Sequence, residues 1–168
     1  MNEFTRIYNL RTLPAGPQHL AASETECAAL ARRFDMVAVK SLDATVTLTP
    51  DGANVRAIGR LKAAIVQPCA VSGEDLDVAI DEPIELRFVP ALAAPDPEIE
   101  IELEAGDLDD IEMQGDQFDL GEALAQTLGL AIDPYLTGPQ AEEARRKAGI
   151  VGEGQSGPFA ALKGLLKE

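Results

Sequence analysis

From Met36 onward the chain alternates apolar and polar residues, with Val37, Val39, Leu42, Ala44, Val46 and Leu48 as the apolar set. A period of two is the mark of a strand with one face in a core. The stretch therefore predicts one long strand, or two joined by a bulge. Pro50-Asp51-Gly52 ends it, and Asp-Gly between alternating segments is a strong hairpin signal. The return strand, about Asn54 to Gln67, puts Arg56, Ile58, Arg60 and Lys62 on one face and Val55, Ala57, Leu61 and Ala63 on the other. After a turn at 68–73, Val78, Ile80, Ile84, Leu86 and Phe88 continue the sheet. Pro83 has no N–H for the ladder, so it implies an edge or a bulge. Ile99, Ile101 and Leu103 alternate with Glu98, Glu100, Glu102 and Glu104, which predicts a strand with one acidic face in water. Ile111 and Met113 predict a further short strand. Phe4, Ile7, Tyr8 and Leu10 predict another at the start, followed by a loop through Pro14, Gly16, Pro17 and His19.

Two segments switch to the helical period. Ser23 with Glu26 three residues later forms a capping box, and Cys27, Leu30, Ala31 and Phe34 then share one face. Asp119 and Glu122 repeat the signature ahead of a stripe of Leu120, Leu124, Thr127, Leu128, Ala131 and Ile132 that Asp133-Pro134 ends. A short exposed helix from Pro139 to Ala148 is expected to carry Glu142–Arg146 and Glu143–Lys147 pairs, with Gly149 as its stop. The expected fold is α+β: an antiparallel, partly curled β-meander with an N-terminal helix and a helix from the C-terminal half packed on it. Residues 1–136 read as one such domain. Residues 137–168 read as the short helix, a Gly-rich linker and an amphipathic tail with Phe159, Leu162 and Leu165 on one side.

Charge changes the picture in one place. Of the 168 residues, 18 of those between Glu74 and Glu122 are acidic and one, Arg87, is basic, within a net charge of −15. The chain as a whole repels nucleic acid, so any RNA contact has to be local or made through a basic partner. Glu98, Glu100, Glu102 and Glu104, together with the tail residues Phe159, Leu162 and Leu165, are candidates for holding a partner. Arg56, Arg60 and Lys62 are the candidate RNA-binding residues, because three cations on one strand face can follow a phosphate backbone. The competing expectation is that they pair with carboxylates on the neighbouring strand.

The sequence offers little for catalysis. His19 is the one histidine, and Cys27 lies on an apolar helix face. No nucleophile elbow, phosphate-binding glycine loop or HExxH pattern is present. Cys69 stands in a turn where a zinc knuckle would begin, but Ser72 occupies the position of a second cysteine, and a structural zinc site needs four ligands. No enzyme activity, metal, cofactor or small-molecule substrate is expected. The longest apolar runs are far short of the roughly 18–20 residues that span a bilayer. The opening residues lack the apolar core of a secretory signal, and two cysteines are too few for a disulfide framework. A cytoplasmic protein without a membrane partner is expected.

Two stretches carry a resemblance. GRLKAAIVQPCAVSGEDLDVAIDEPIELRFVP, residues 59–90, and FDLGEALAQTLGLAIDPY, residues 118–135, resemble the YceD family of large ribosomal RNA subunit accumulation proteins. The closing PFAALKGLLKE is similar to the end of many members. The positions that match the family pattern are Cys69, Asp119, Leu120, Gly121, Glu122 and Pro134. The compact, Ala-rich form looks like the alphaproteobacterial branch. The resemblance implies a non-enzymatic role in synthesis, processing or stability of large-subunit ribosomal RNA, with that RNA, a basic ribosomal protein, or both as partners. Some members carry cysteine pairs suggestive of metal, which Ser72 breaks here. The alternative is a generic acidic protein-binding adaptor with no dedicated RNA role.

Overall fold

The computed structural model describes residues 3–91 and 110–150. Along the chain it contains β1 (Ile7–Asn9), a 3-10 turn (Leu10–Thr12), β2 (Pro17–Ala21), α1 (Glu24–Arg33), β3 (Ala38–Asp51), β4 (Asn54–Pro68), β5 (Asp75–Pro90), β6 (Asp110–Met113), β7 (Gln117–Asp119), α2 (Leu120–Ala131) and α3 (Ala141–Lys147). β2 to β6 form one sheet in sequence order, while β1 and β7 pair separately. The fold is α+β and the larger sheet mostly antiparallel: β2 runs against β3, and β3 against β4. The exception is β6, which lies parallel to β5 with Arg87 opposite Asp110.

Alternation carries the β3–β4 hairpin. Leu42, Ala44, Val46 and Leu48 on β3 and Val55, Ala57, Leu61 and Ala63 on β4 are buried, and their neighbours face water. The register slips once, between Val39 and Ser41, so the long segment is a single strand with a bulge. Gly52, at φ 63°, makes the turn. Pro83 lies within β5, on a part that β6 does not reach, since β6 pairs only with Arg87–Pro90. Its missing N–H therefore interrupts no ladder with β6.

The buried face is covered by helices. In α1 the Ser23 hydroxyl accepts from the Glu26 N–H and the Glu26 carboxylate accepts from the Ser23 N–H, closing the capping box. Cys27, Leu30 and Ala31 are buried, and α1 packs on β3. α2 places Leu120, Leu124 and Leu128, each fully buried, in the same core as Leu42, Val46, Ile84 and Phe88. Phe88 and Phe118 meet there with ring centroids 4.3 Å apart.

Three expectations change in detail. His19 belongs to the edge strand β2, not to a loop; Pro17 is tolerated as the first residue of an edge strand. Glu122 does not close a capping box. Asp119 caps α2 by accepting from the Glu122 N–H at 3.1 Å, while the Glu122 carboxylate receives Arg33 of α1 at 2.7 and 2.8 Å. In α3, Glu143 pairs with Lys147 at 2.7 Å, but Glu142 pairs with Arg145 instead of Arg146. The i,i+3 partner is also a neighbour on a helix surface.

The chain divides into two compact units, Met1–Val66 with Asp77–Ile132, and Gln67–Leu76 with the residues from Asp133. In the second unit the Cys69 turn is hydrogen-bonded to the segment that precedes α3: the Ala70 N–H donates to Leu136 O at 2.9 Å, and Gln67 Nε2 donates to Asp133 O at 2.8 Å. Pro134 sits in the turn there, where Asp133 Oδ1 accepts from the Tyr135 N–H at 2.9 Å. The acidic alternation at Glu98–Glu104 and the tail residues Phe159, Leu162 and Leu165 lie outside the described residues. Among the described residues no helix is long and apolar enough to cross a membrane.

Candidate nucleic-acid interface

A sheet with helices on one face leaves the other to solvent. On that outer face β3 presents Asp43, Thr45, Thr47 and Thr49, and β4 presents Arg56, Ile58, Arg60 and Lys62, all exposed. The register sets Thr49 opposite Arg56, Thr47 opposite Ile58, Thr45 opposite Arg60 and Asp43 opposite Lys62. β2 adds His19 opposite Thr45, with His19 Nδ1 3.0 Å from Thr45 Oγ1. β5 contributes exposed Asp77, Asp81 and Glu85.

The three predicted cations do share a face, but they are not equivalent. Arg60 is in an ion pair with Asp81, which raises the guanidinium pKa and lowers that of the carboxyl. Lys62 lies near enough to help hold Asp81 ionised. Among the described residues neither Arg56 nor Lys62 forms an ion pair. Lys40 pairs with Asp77 in the same way that Arg60 pairs with Asp81. The sequence left both partnerships open; β5 supplies the acid for Arg60 and leaves Arg56 to solvent. Ile58, half exposed at 50% among the described residues, sits between the cations.

Three of the positions matched to the family pattern, Asp119, Leu120 and Gly121, lie at the start of α2. Leu120 is fully buried, and Gly121 is packed so closely that a Cβ would come 2.5 Å from Phe4 O. Asp119 Oδ1 accepts from the Arg6 N–H at 2.8 Å as well as capping α2.

Cys69 is buried in a cage of donors. Its sulfur accepts the N–H groups of Ser72 and Gly138 at 3.3 Å and of Val71 at 3.5 Å. The Ser72 side chain, then the Ser72 and Gly138 amides, lower the thiol to about 6, well below the ordinary cysteine value. These residues do not fit a metal: the sulfur's lone pairs are taken by amides, Ser72 replaces the second thiolate, and among the described residues no group of three or more potential ligands comes together. The cage makes a prediction. A depressed native pKa means the unfolded chain binds more protons between about pH 6 and 9. The thiolate's stabilisation is complete above the unfolded thiol's pKa and is lost as pH falls through about 6. The melting-temperature advantage of the wild type over Cys69→Ala should therefore grow from pH 6 to pH 9, and a constant difference would show that the sulfur stays a neutral thiol.

A cleft lined by residues of β1, β6, β7 and α2 has a volume of about 390 Å³. Its Asp119 and Glu122 carboxylates are already engaged by the α2 cap and by Arg33.

A family model described as large ribosomal RNA subunit accumulation protein YceD matches residues 58–166. No curated protein and no solved structure matches.

Proposed function

Since the chain belongs to the YceD family, named for large ribosomal RNA subunit accumulation, we propose that it is a non-enzymatic cytoplasmic factor of large-subunit biogenesis that touches ribosomal RNA directly through the outer face of its sheet. The compact, alanine-rich chain fits the alphaproteobacterial branch of that family. The observation that carries the RNA reading is the exposed outer face of β4, where among the described residues neither Arg56 nor Lys62 forms an ion pair and half-exposed Ile58 lies between them. Cations left free in the protein are available to phosphate, and each phosphate contact releases counterions. The test is recovery of ribosomal RNA with the tagged full-length chain. R56E/K62E should lose most of the recovered RNA with an unchanged melting temperature; undiminished recovery would move the contact elsewhere.

A second reading has an observation of its own. Asp77, Asp81 and Glu85 line the neighbouring strand, so a basic ribosomal protein is the alternative partner. Glu98, Glu100, Glu102, Glu104, Phe159, Leu162 and Leu165 are proposed as further contacts to it. Nuclease treatment before elution separates the two: a basic ribosomal protein retained without RNA supports the second.

A further inference from the structure

The outer face is divided by strand. Most of its exposed carboxylates lie on β5, where Asp77 pairs with Lys40, Asp81 pairs with Arg60, and Glu85 follows, while Asp43 and Asp51 stand on β3 to either side of its three threonines. The area formed by His19 on β2, Thr45, Thr47 and Thr49 on β3, and Arg56, Ile58 and Arg60 on β4 carries no carboxylate. A phosphate chain approaching this face is repelled from the β5 side. It is admitted over β2 to β4, where among the described residues Arg56 forms no ion pair and the Arg60 guanidinium is held by Asp81 of the neighbouring strand.

Within that area the side chains are of the wrong kind for splayed bases. Recognition of single strands relies on rings that stack bases. The one ring here is the imidazole of His19, which is tied to Thr45. Phe88, the aromatic of the five strands, is fully buried. What the area does offer is a ladder of hydroxyls: Thr45, Thr47 and Thr49 recur every second residue, roughly 7 Å apart. Each can donate and accept, as can the ribose 2′-hydroxyl that lines the wide, shallow minor groove of A-form RNA. Arg56 and Lys62, six residues apart on one strand, stand about 20 Å from each other, so they reach separate parts of a phosphate backbone.

We infer that the β2–β4 half of the open face takes helical, A-form RNA, with Arg56, Arg60 and Lys62 at phosphates and Thr45, Thr47 and Thr49 at ribose 2′-hydroxyls. This deepens the RNA reading above and rests on it.

The experiment compares binding of the full chain to three labelled probes of one sequence: an RNA duplex, a DNA duplex and a single-stranded RNA. The RNA duplex should bind roughly tenfold tighter than either of the others. T45V/T47V/T49V keeps β-branched side chains at exposed strand positions, so its melting temperature should hold while its RNA-duplex affinity falls to that for the DNA duplex. Single-stranded RNA binding as tightly as the duplex overturns this inference and leaves the RNA reading standing. So does a triple variant that keeps its full preference for RNA duplex over DNA duplex. Failure of all three probes to bind overturns the RNA reading and the inference together.

Discussion

Leu124→Ala should lower the unfolding free energy by about 2–5 kcal/mol. Leu124 is fully buried in the middle of α2, between Leu120 and Leu128, which are equally inaccessible. Its neighbours along the helix, Ala123 and Ala125, are small and already packed, so there is little side-chain length nearby to collapse into the space left behind. The loss therefore combines the removed methyl groups with a residual cavity. Urea denaturation gives the number. Leu130→Ala on the same helix is the control, because Leu130 is 88% exposed and its loss should change stability by no more than about 0.5 kcal/mol. Equal effects at the two positions would mean that α2 does not use this stripe to bind the sheet.

Much of this was legible in the chain because the signals are local. The alternation from Val39, the Asp51-Gly52 turn and the Ser23–Glu26 capping box each act within a few residues and stand where expected, whereas Val37, read as part of the apolar set, lies ahead of β3 and is half exposed. The face assignment of Arg56, Arg60 and Lys62 also follows from a period of two and holds. What was not legible depends on register between distant segments. Nothing in the sequence says that Asp81 comes beside Arg60, or that Glu122 meets Arg33 across 89 residues instead of folding back on its own cap. The parallel β5–β6 pair is of the same kind, since residues 91–109 separate the two strands and a meander was the simpler expectation. At Cys69 the sequence shows a sulfur in a turn and Ser72 where a second thiolate would stand. It cannot show that Gly138 N–H arrives from 69 residues away to occupy the thiolate. For the three proposed RNA contacts, register adds that Arg60 is paired with Asp81, while among the described residues Arg56 and Lys62 form no ion pair.

Gly59→Ala should be as damaging as any core truncation, with a loss of about 3 kcal/mol or more. Gly59 lies in the centre of β4, opposite Val46, and points toward the core between Ala57 and Leu61. A strand interior is ordinarily a poor place for glycine, which neither packs nor restrains the chain there. The reason for it here is close approach of two backbones. A Cβ on Gly59 would come within 2.0 Å of Thr45 O and 2.8 Å of Val46 Cα. Both are main-chain atoms of β3, so no rotamer change relieves the overlap, and the hairpin would have to open at its middle. Opening it displaces Val46, which is fully buried, and shifts Thr45 and Arg60 on the outer face. The stability loss should therefore come with weaker RNA recovery at temperatures where the variant is still folded. Gly52→Ala tests whether this is simply the cost of losing a glycine. Gly52 has φ 63° but open space around it, so its penalty is the left-handed backbone alone, roughly 1–2 kcal/mol, and the outer face should keep its RNA. If Gly59→Ala melts no lower than Gly52→Ala, the two strands are not as close at Gly59 as described.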